Sequence, residues 1–277
     1  MHVRQSDLKT WARCPLQYRW MHIEKLPRTQ GGSAIFGSVI HDCVLRLETT
    51  HDLESAVDLF KVNWRTPELL DPTYQVDYYE RGRSWSKFLI KGEDILRRWW
   101  NIIQWETDLV LAREYRFAVP IGNGHVLDGT VDKVTVRWHA ATEQWILLIS
   151  DYKTNAKVPT YGYLEEDLQF TAYAYASLQK EFWEPMFPGD PAQGIALWER
   201  YADLERHGEW VALQDSRRMD AGIRSERHYN RLIMAVNALA ESVAMRIFVP
   251  NISGETCRFC EFRAQCGLPE LIEEDSW

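Results

Sequence analysis

The chain has 277 residues, 45% of them hydrophobic, enough to bury a sizeable core as one large domain or two small ones. Its formal net charge of -8 excludes a bulk electrostatic grip on nucleic acid, though not a local basic groove. Five cysteines in so long a chain are not a disulfide framework, and their clustering points to a metal site in a reducing compartment.

Met1 to Asp7 lacks the apolar core of a signal peptide, and no apolar run reaches bilayer-spanning length, so a cytoplasmic protein with no membrane contact is expected. Ser6 to Trp11 starts a short helix with Ser6 as its N-cap, leading into Cys14-Pro15. Residues 26 to 34 read as a loop. Phe36 to Leu47 reads as a helix with Ile40, Val44 and Leu47 on one stripe. His41 borders that stripe, and alone it reads more readily as a core histidine than as a ligand. Cys43 belongs to no cysteine motif and reads as a buried free thiol.

Leu53 to Trp64 and Tyr78 to Ile103 are periodic and helical, so residues 42 to 107 are expected to form a helical insertion beside a substrate channel. Arg81, Arg83, Lys87, Lys91, Arg97 and Arg98 supply local positive charge, or else a solvated face interleaved with Glu80, Glu93 and Asp94. The aromatic residues Tyr78, Tyr79, Trp85, Phe88, Trp99, Trp100 and Trp105 either stack on bases or fill a core.

Leu109 to Pro120, His125 to Trp138 and Trp145 to Lys153 read as three strands of a sheet. The last ends in Asp151-Tyr152-Lys153, with Asp151 and Lys153 on one face and Tyr152 on the other. A hairpin through Arg137 to Gln144 brings Asp132 beside them. Two carboxylates with no cation between them repel, so the pair points to a hard divalent metal, with the lysine acting on the attacking water. Asp128 has the same strand parity as Asp132, and alternation does not choose between them. A helix from Leu164 to Lys180 places Gln169 and Tyr173 on one face. Ile195 to Tyr201 and Glu209 to Leu213 are expected to form a ribbon around Glu205 to Gly208, and Met219 to Phe248 a long closing helix. Cys257, Cys260 and Cys266 lie within ten residues, and Cys14 is the natural fourth ligand to one soft metal centre; spacing leaves zinc and [4Fe-4S] both open.

Gly129-x-x-Asp132 followed by Asp151-x-Lys153 resembles the core of the PD-(D/E)XK nucleases, in particular their RecB-like branch. Gly37 to His41 resembles the helix that brings a histidine to the metal, and Gln169-x-x-x-Tyr173 the branch's Gln-x-x-x-Tyr helix. Cys14 with Cys257, Cys260 and Cys266 resembles the cysteine set of the AddB-type and CRISPR-associated exonucleases. The motifs span residues 14 to 266 in the family's order. The resemblance implies an α/β, restriction-endonuclease-like mixed sheet flanked by helices, one nuclease domain over 1–277, with residues 1–25 and 250–270 joined by a [4Fe-4S] cluster. It implies a DNA nuclease, an exonuclease on ends or single strands. His41, Asp132, Asp151 and the Tyr152 carbonyl hold Mg2+ or Mn2+, Lys153 positions the water, and Gln169 and Tyr173 touch DNA. No Gly-x-x-x-x-Gly-Lys-[Ser/Thr] match is present, so a helicase would have to be a partner protein. The alternative is a non-catalytic nucleic-acid-binding subunit that kept the fold.

Overall fold

Strand β1 (His2–Arg4) runs directly into helix α1 (Gln5–Arg13) and the short α2 (Pro15–Tyr18). β2 (Gln30–Gly31) precedes α3 (Gly32–Thr50) and α4 (Leu53–Trp64), and β3 (Val76–Asp77), which pairs with β2, precedes α5 (Trp85–Ile103). Three long strands follow, β4 (Leu109–Ile121), β5 (His125–His139) and β6 (Gln144–Lys153). Then come α6 (Tyr161–Glu165), α7 (Leu168–Leu178), α8 (Lys180–Trp183), α9 (Pro191–Tyr201), β7 (Glu205–Ala212), β8 (Arg217–Ile223) and α10 (Glu226–Met245). The computed structural model describes residues 1–27, 30–64, 76–77, 85–154, 159–253, 256–257 and 260–266.

The result is an α/β fold, a mixed six-stranded sheet flanked by helices. β5 is antiparallel to β4 along one edge. Its other edge is shared: β1 pairs in parallel with Val126 to Asp128, and β6 pairs antiparallel with Lys133 to His139. Between these two partners, residues 129–132 have no strand beside them on that edge. The sheet therefore splits there, and the split lies at the carboxyl end of β6.

β6 is buried from Ile146 to Tyr152, as a continuous apolar strand flanked by two others must be. Leu147 and Ile149 pack into a core shared with α1, α7, α8 and α10. Tyr152 packs into a second core with α3, α4 and α5. In α3 the buried Phe36, Val39, Ile40, Cys43, Val44 and Leu47 recur every three or four residues, which fixes that helix on the sheet.

Several boundaries differ from the sequence-based expectation. Ile195 to Tyr201 is not a strand but the end of α9. Asp190 caps that helix through Gln193 N (3.3 Å) and Pro191 sits in its first turn. Gly194 lets α9 lie on α8, since a Cβ there would meet the Trp183 carbonyl oxygen at 2.2 Å. Glu205 to Gly208 is strand rather than turn, because β7 pairs in parallel with β6 from Glu205 onward. Residues 217–223 pair with β7, so the closing helix starts at Glu226 and not near Met219. It stops at Met245, followed by Arg246 in the left-handed region (φ 55°). The helix expected over Leu164 to Lys180 is broken in two, because the Asp167 side chain caps α7 by accepting from Gln169 N at 2.6 Å.

Phe88 and Trp99 are fully buried and belong to the core, whereas Trp105 is exposed. Arg97 pairs with Glu54 (3.5 Å) and Arg98 with Asp94 (3.7 Å), which makes this part of α5 a solvated face. Tyr78, Tyr79, Glu80, Arg81, Arg83 and the Trp85 side chain lie outside the described residues. No helix among the described residues is long and apolar enough to cross a membrane.

Candidate functional site

The split in the sheet is where the polar residues converge. α3 delivers His41 to the gap, and its Nε2 donates to the Tyr152 carbonyl at 3.0 Å. His41 Nδ1 faces Glu114 Oε1 (3.2 Å) and Asp132 Oδ1 (3.4 Å). Asp132 lies on the stretch of β5 that lacks a strand partner, and its Oδ2 takes the Tyr152 N–H that a ladder would otherwise use. Both ring nitrogens of His41 thus sit against oxygen acceptors. Burial pushes the imidazole pKa down, but the bonds to Asp132 and Glu114 outweigh it and raise the pKa to about 10. The two carboxylates facing Nδ1 thus favour the protonated ring when no cation is bound.

One ligand atom each from His41, Glu114 and Asp132 lies within 4.8 Å of the others. Imidazole nitrogen and carboxylate oxygens are a donor set that suits a divalent cation, with the Tyr152 carbonyl beside them. A metal there must displace the His41 proton, so cation and proton compete for one place.

Asp151 is 1% exposed and its carboxylate turns to the α7 side. Oδ1 accepts from Gln169 Nε2 at 2.6 Å, and Oδ2 is 2.6 Å from Lys153 Nζ. Burial raises the Asp151 pKa, Lys153 opposes that rise and Asp132 adds to it. Gln169 also donates to the Tyr173 hydroxyl at 2.7 Å, and Tyr173 is buried. The Gln169–Tyr173 pair is thus engaged with Asp151 and with itself. A cleft of about 400 Å³ opens over this group, lined by Lys9, Asp151, Lys153, Tyr163, Gln169 and Trp210.

Glu114 was not picked out from the sequence. Its signal was the register: counting seven steps each way from the Ile121–His125 pair beside the glycine turn reaches Glu114 and Asp132. Glu114 has φ 43°, a conformation that costs a non-glycine residue energy, inside a long strand. That kink accompanies the approach of its carboxylate to His41.

Asp128 is elsewhere. It lies at the β1 pairing, where its carboxylate meets His2 Nδ1 at 2.8 Å.

Past the end of α1, Cys14, Cys257, Cys260 and Cys266 line one small cavity, with Gln17 and Trp20 among its walls. Asn251 Nδ2 donates to the Arg13 carbonyl at 2.9 Å, and Trp20 packs on Phe262 with ring centroids 5.7 Å apart. Cys43 is fully buried in the α3 core, away from these four. Burial and the nearby Asp42 push its thiol pKa up to about 12.

A family model of the PD-(D/E)XK nuclease superfamily matches residues 2–267. The chain belongs to the PD-(D/E)XK nuclease superfamily. No curated protein matches the sequence. A solved crystal structure of SSO0001 is similar over 95% of this chain and 94% of that chain, at 15% identity and a TM-score of 0.33. Nucleases of the PD-(D/E)XK superfamily usually use divalent metal, and DNA is the substrate the family implies. The described residues hold the carboxylate and histidine cluster that such a metal needs.

Proposed function

We propose that the chain is a Mg2+- or Mn2+-dependent deoxyribonuclease of the RecB-like branch, an exonuclease acting on DNA ends or single strands. The observation that carries this reading is the meeting of His41, Asp132 and the Tyr152 carbonyl beside Asp151 and Lys153, where β5 passes between its β1 and β6 pairings. The pathway, among repair, recombination and phage DNA metabolism, would be set by a partner such as a helicase.

In this reading His41, Asp132, Asp151 and the Tyr152 carbonyl hold the metal, and Glu114 is added to the set. The bound cation supplies Lewis-acid stabilisation of charge on the scissile phosphate. Lys153, raised in pKa by Asp151 against the opposing effect of burial, orients the attacking water through its ammonium. Gln169 holds the Asp151 carboxylate against rotation. Lys153→Ala should lower turnover by about 10²–10⁴-fold while leaving strand affinity within a small factor. Single-turnover cleavage of end-labelled DNA with a parallel binding titration reads both. An equal loss in affinity and rate would make Lys153 a phosphate clamp instead. The same assay on 5′- and 3′-labelled single and double strands, with and without Mg2+ or Mn2+, tests the activity as a whole.

The four clustered cysteines are proposed to hold a [4Fe-4S] cluster, with zinc as the competing occupant. Cys14 stands at the start of α2 and the other three near the C-terminus, so either occupant ties the two ends together. Anaerobically purified protein should contain about four iron and four sulfide per chain. Cys14→Ser should lose the colour together with protease resistance, and Cys43→Ser should keep both. Stoichiometric zinc without sulfide would replace the cluster and leave the tether standing.

A further inference from the structure

Beside the cleft lies a second, larger groove of about 780 Å³, whose walls include Arg4, Ser6, Arg116, Asp128, Thr130 and Tyr173. The two hollows are consecutive along the same pair of helices. α1 places Ser6 in the groove and Lys9 in the cleft, and α7 places Gln169 in the cleft and Tyr173 in the groove. Gln169 and Tyr173 are one helical turn apart, about 6 Å of rise. They are joined by a hydrogen bond, so they form the sill between the hollows.

The charge of the groove is set by two exposed arginines. Among the described residues neither Arg4 nor Arg116 has a carboxylate partner, whereas Lys9 in the cleft pairs with Asp167 at 3.1 Å. Asp128, the acid in the wall, is engaged by His2 (2.8 Å). Two guanidiniums against the single Asp128 carboxylate leave the named groups of this wall net positive, on a chain whose net charge is -8. They stand on separate strands, Arg4 at the end of β1 and Arg116 on β4, with β5 between them. Guanidiniums bind phosphate oxygens through paired N–H donors.

We propose that this groove holds the sugar-phosphate backbone of a DNA single strand a few nucleotides from the scissile phosphate, with Arg4 and Arg116 each on a phosphate. The strand passes from the Asp151–Lys153 cleft over the Gln169–Tyr173 sill. Tyr173, being buried, shapes the sill and does not stack on a base. This assignment rests on the nuclease reading above, and it specifies where the strand lies.

The test is the salt dependence of single-strand binding by the full chain. Asp151→Asn is used as parent, so that the labelled strand stays intact, with Mg2+ present. Each phosphate contact on a single strand contributes about 0.7 to the slope of log affinity against log salt. Arg4→Gln with Arg116→Gln should therefore flatten the slope by about 1.4 and weaken binding about tenfold at moderate salt. Arg4→Lys with Arg116→Lys should keep the slope, because the charges remain. The melting temperature of the glutamine pair should match the parent, since both side chains are exposed. A parent that binds the strand, with the glutamine pair showing the same slope and affinity, overturns the groove and leaves the nuclease reading intact. A parent that does not bind DNA at all overturns both.

Discussion

Asp132→Asn should lower metal-dependent DNA cleavage by about 10³-fold, whereas Asp128→Asn should leave most of it. The two acids are four residues apart on β5 with the same parity, and their surroundings decide between them. Asp132 is 8% exposed, faces His41, and lies in the gap between β1 and β6. Asp128 lies between β1 and β4, with its carboxylate on His2. An asparagine at 132 still offers an oxygen to the Tyr152 N–H, so the strand ends stay in place. What is lost is the anion that would ligate the metal. A bound cation is worth several kcal/mol of transition-state charge stabilisation, and each 1.36 kcal/mol is a factor of ten. Rates of end-labelled DNA cleavage across a Mn2+ titration measure both variants. Greater loss from Asp128→Asn would move the upstream ligand four residues along the same face, into the groove. Glu114→Gln belongs in the same series, with a smaller loss expected since the three remaining proposed side-chain and carbonyl ligands besides Asp132 persist.

Glu48→Ala should cost about 3 kcal/mol of stability, and Tyr152→Phe should weaken Mn2+ binding about tenfold with a much smaller stability loss. Glu48 lies on α3, seven residues after His41, and is 3% exposed. Its Oε1 accepts from the Tyr152 hydroxyl (2.8 Å) and from Trp99 Nε1 (3.0 Å). Its Oε2 faces Arg113 Nε (2.9 Å) and Lys133 Nζ (3.2 Å). Removing this carboxylate strands two buried donors and weakens the compensation of two cations, although Lys133 keeps Glu106 at 2.5 Å. One helix thus grips Tyr152 at both ends, His41 at the carbonyl and Glu48 at the phenol. Losing the phenol hydroxyl alone frees the residue whose carbonyl is proposed to touch the metal. Groups that orient ligands from behind are typically worth 10–100-fold in metal affinity. Calorimetric Mn2+ titration and thermal melting together separate the roles. Unchanged Mn2+ affinity in Tyr152→Phe would leave the Glu48 cluster a purely structural one.

The legible parts of the sequence were those in which one local pattern had one physical solution. The apolar run ending in Asp151-Tyr152-Lys153 had to be a buried strand with a polar tip, and β6 is that strand. The two strands before it followed from alternation and from the turn at Gly122 to Gly124, whose two glycines adopt positive φ. Illegible features were those decided by partners distant in sequence. Residues 217–223 look like the start of an amphipathic helix, but β7 offers them a ladder. Ile195 to Tyr201 has strand-like composition, but the Asp190 cap and close contact with α8 hold it helical. Glu114 and Glu48 carry no motif: the first is found only through the hairpin register, the second only once α3 is laid on the sheet. Gln169 was legible as a residue but not in its partner, since its amide meets the Asp151 carboxylate.

The placement of β1 bears on the order of synthesis. β1 pairs with residues 126–128, more than a hundred positions further along the chain, and Val126 N donates to the Met1 carbonyl at 2.9 Å. The helix that follows rests on α7 and α10, and the carbonyl of Arg13 waits for Asn251. At about 5–20 residues per second, that last partner emerges roughly 10–50 s after the segment it holds. Leu8 of α1, buried in the finished protein, gains its neighbours on α7 and α10 only after those helices have been made. The segment from β1 to α2 is therefore made well before the partners that seat it.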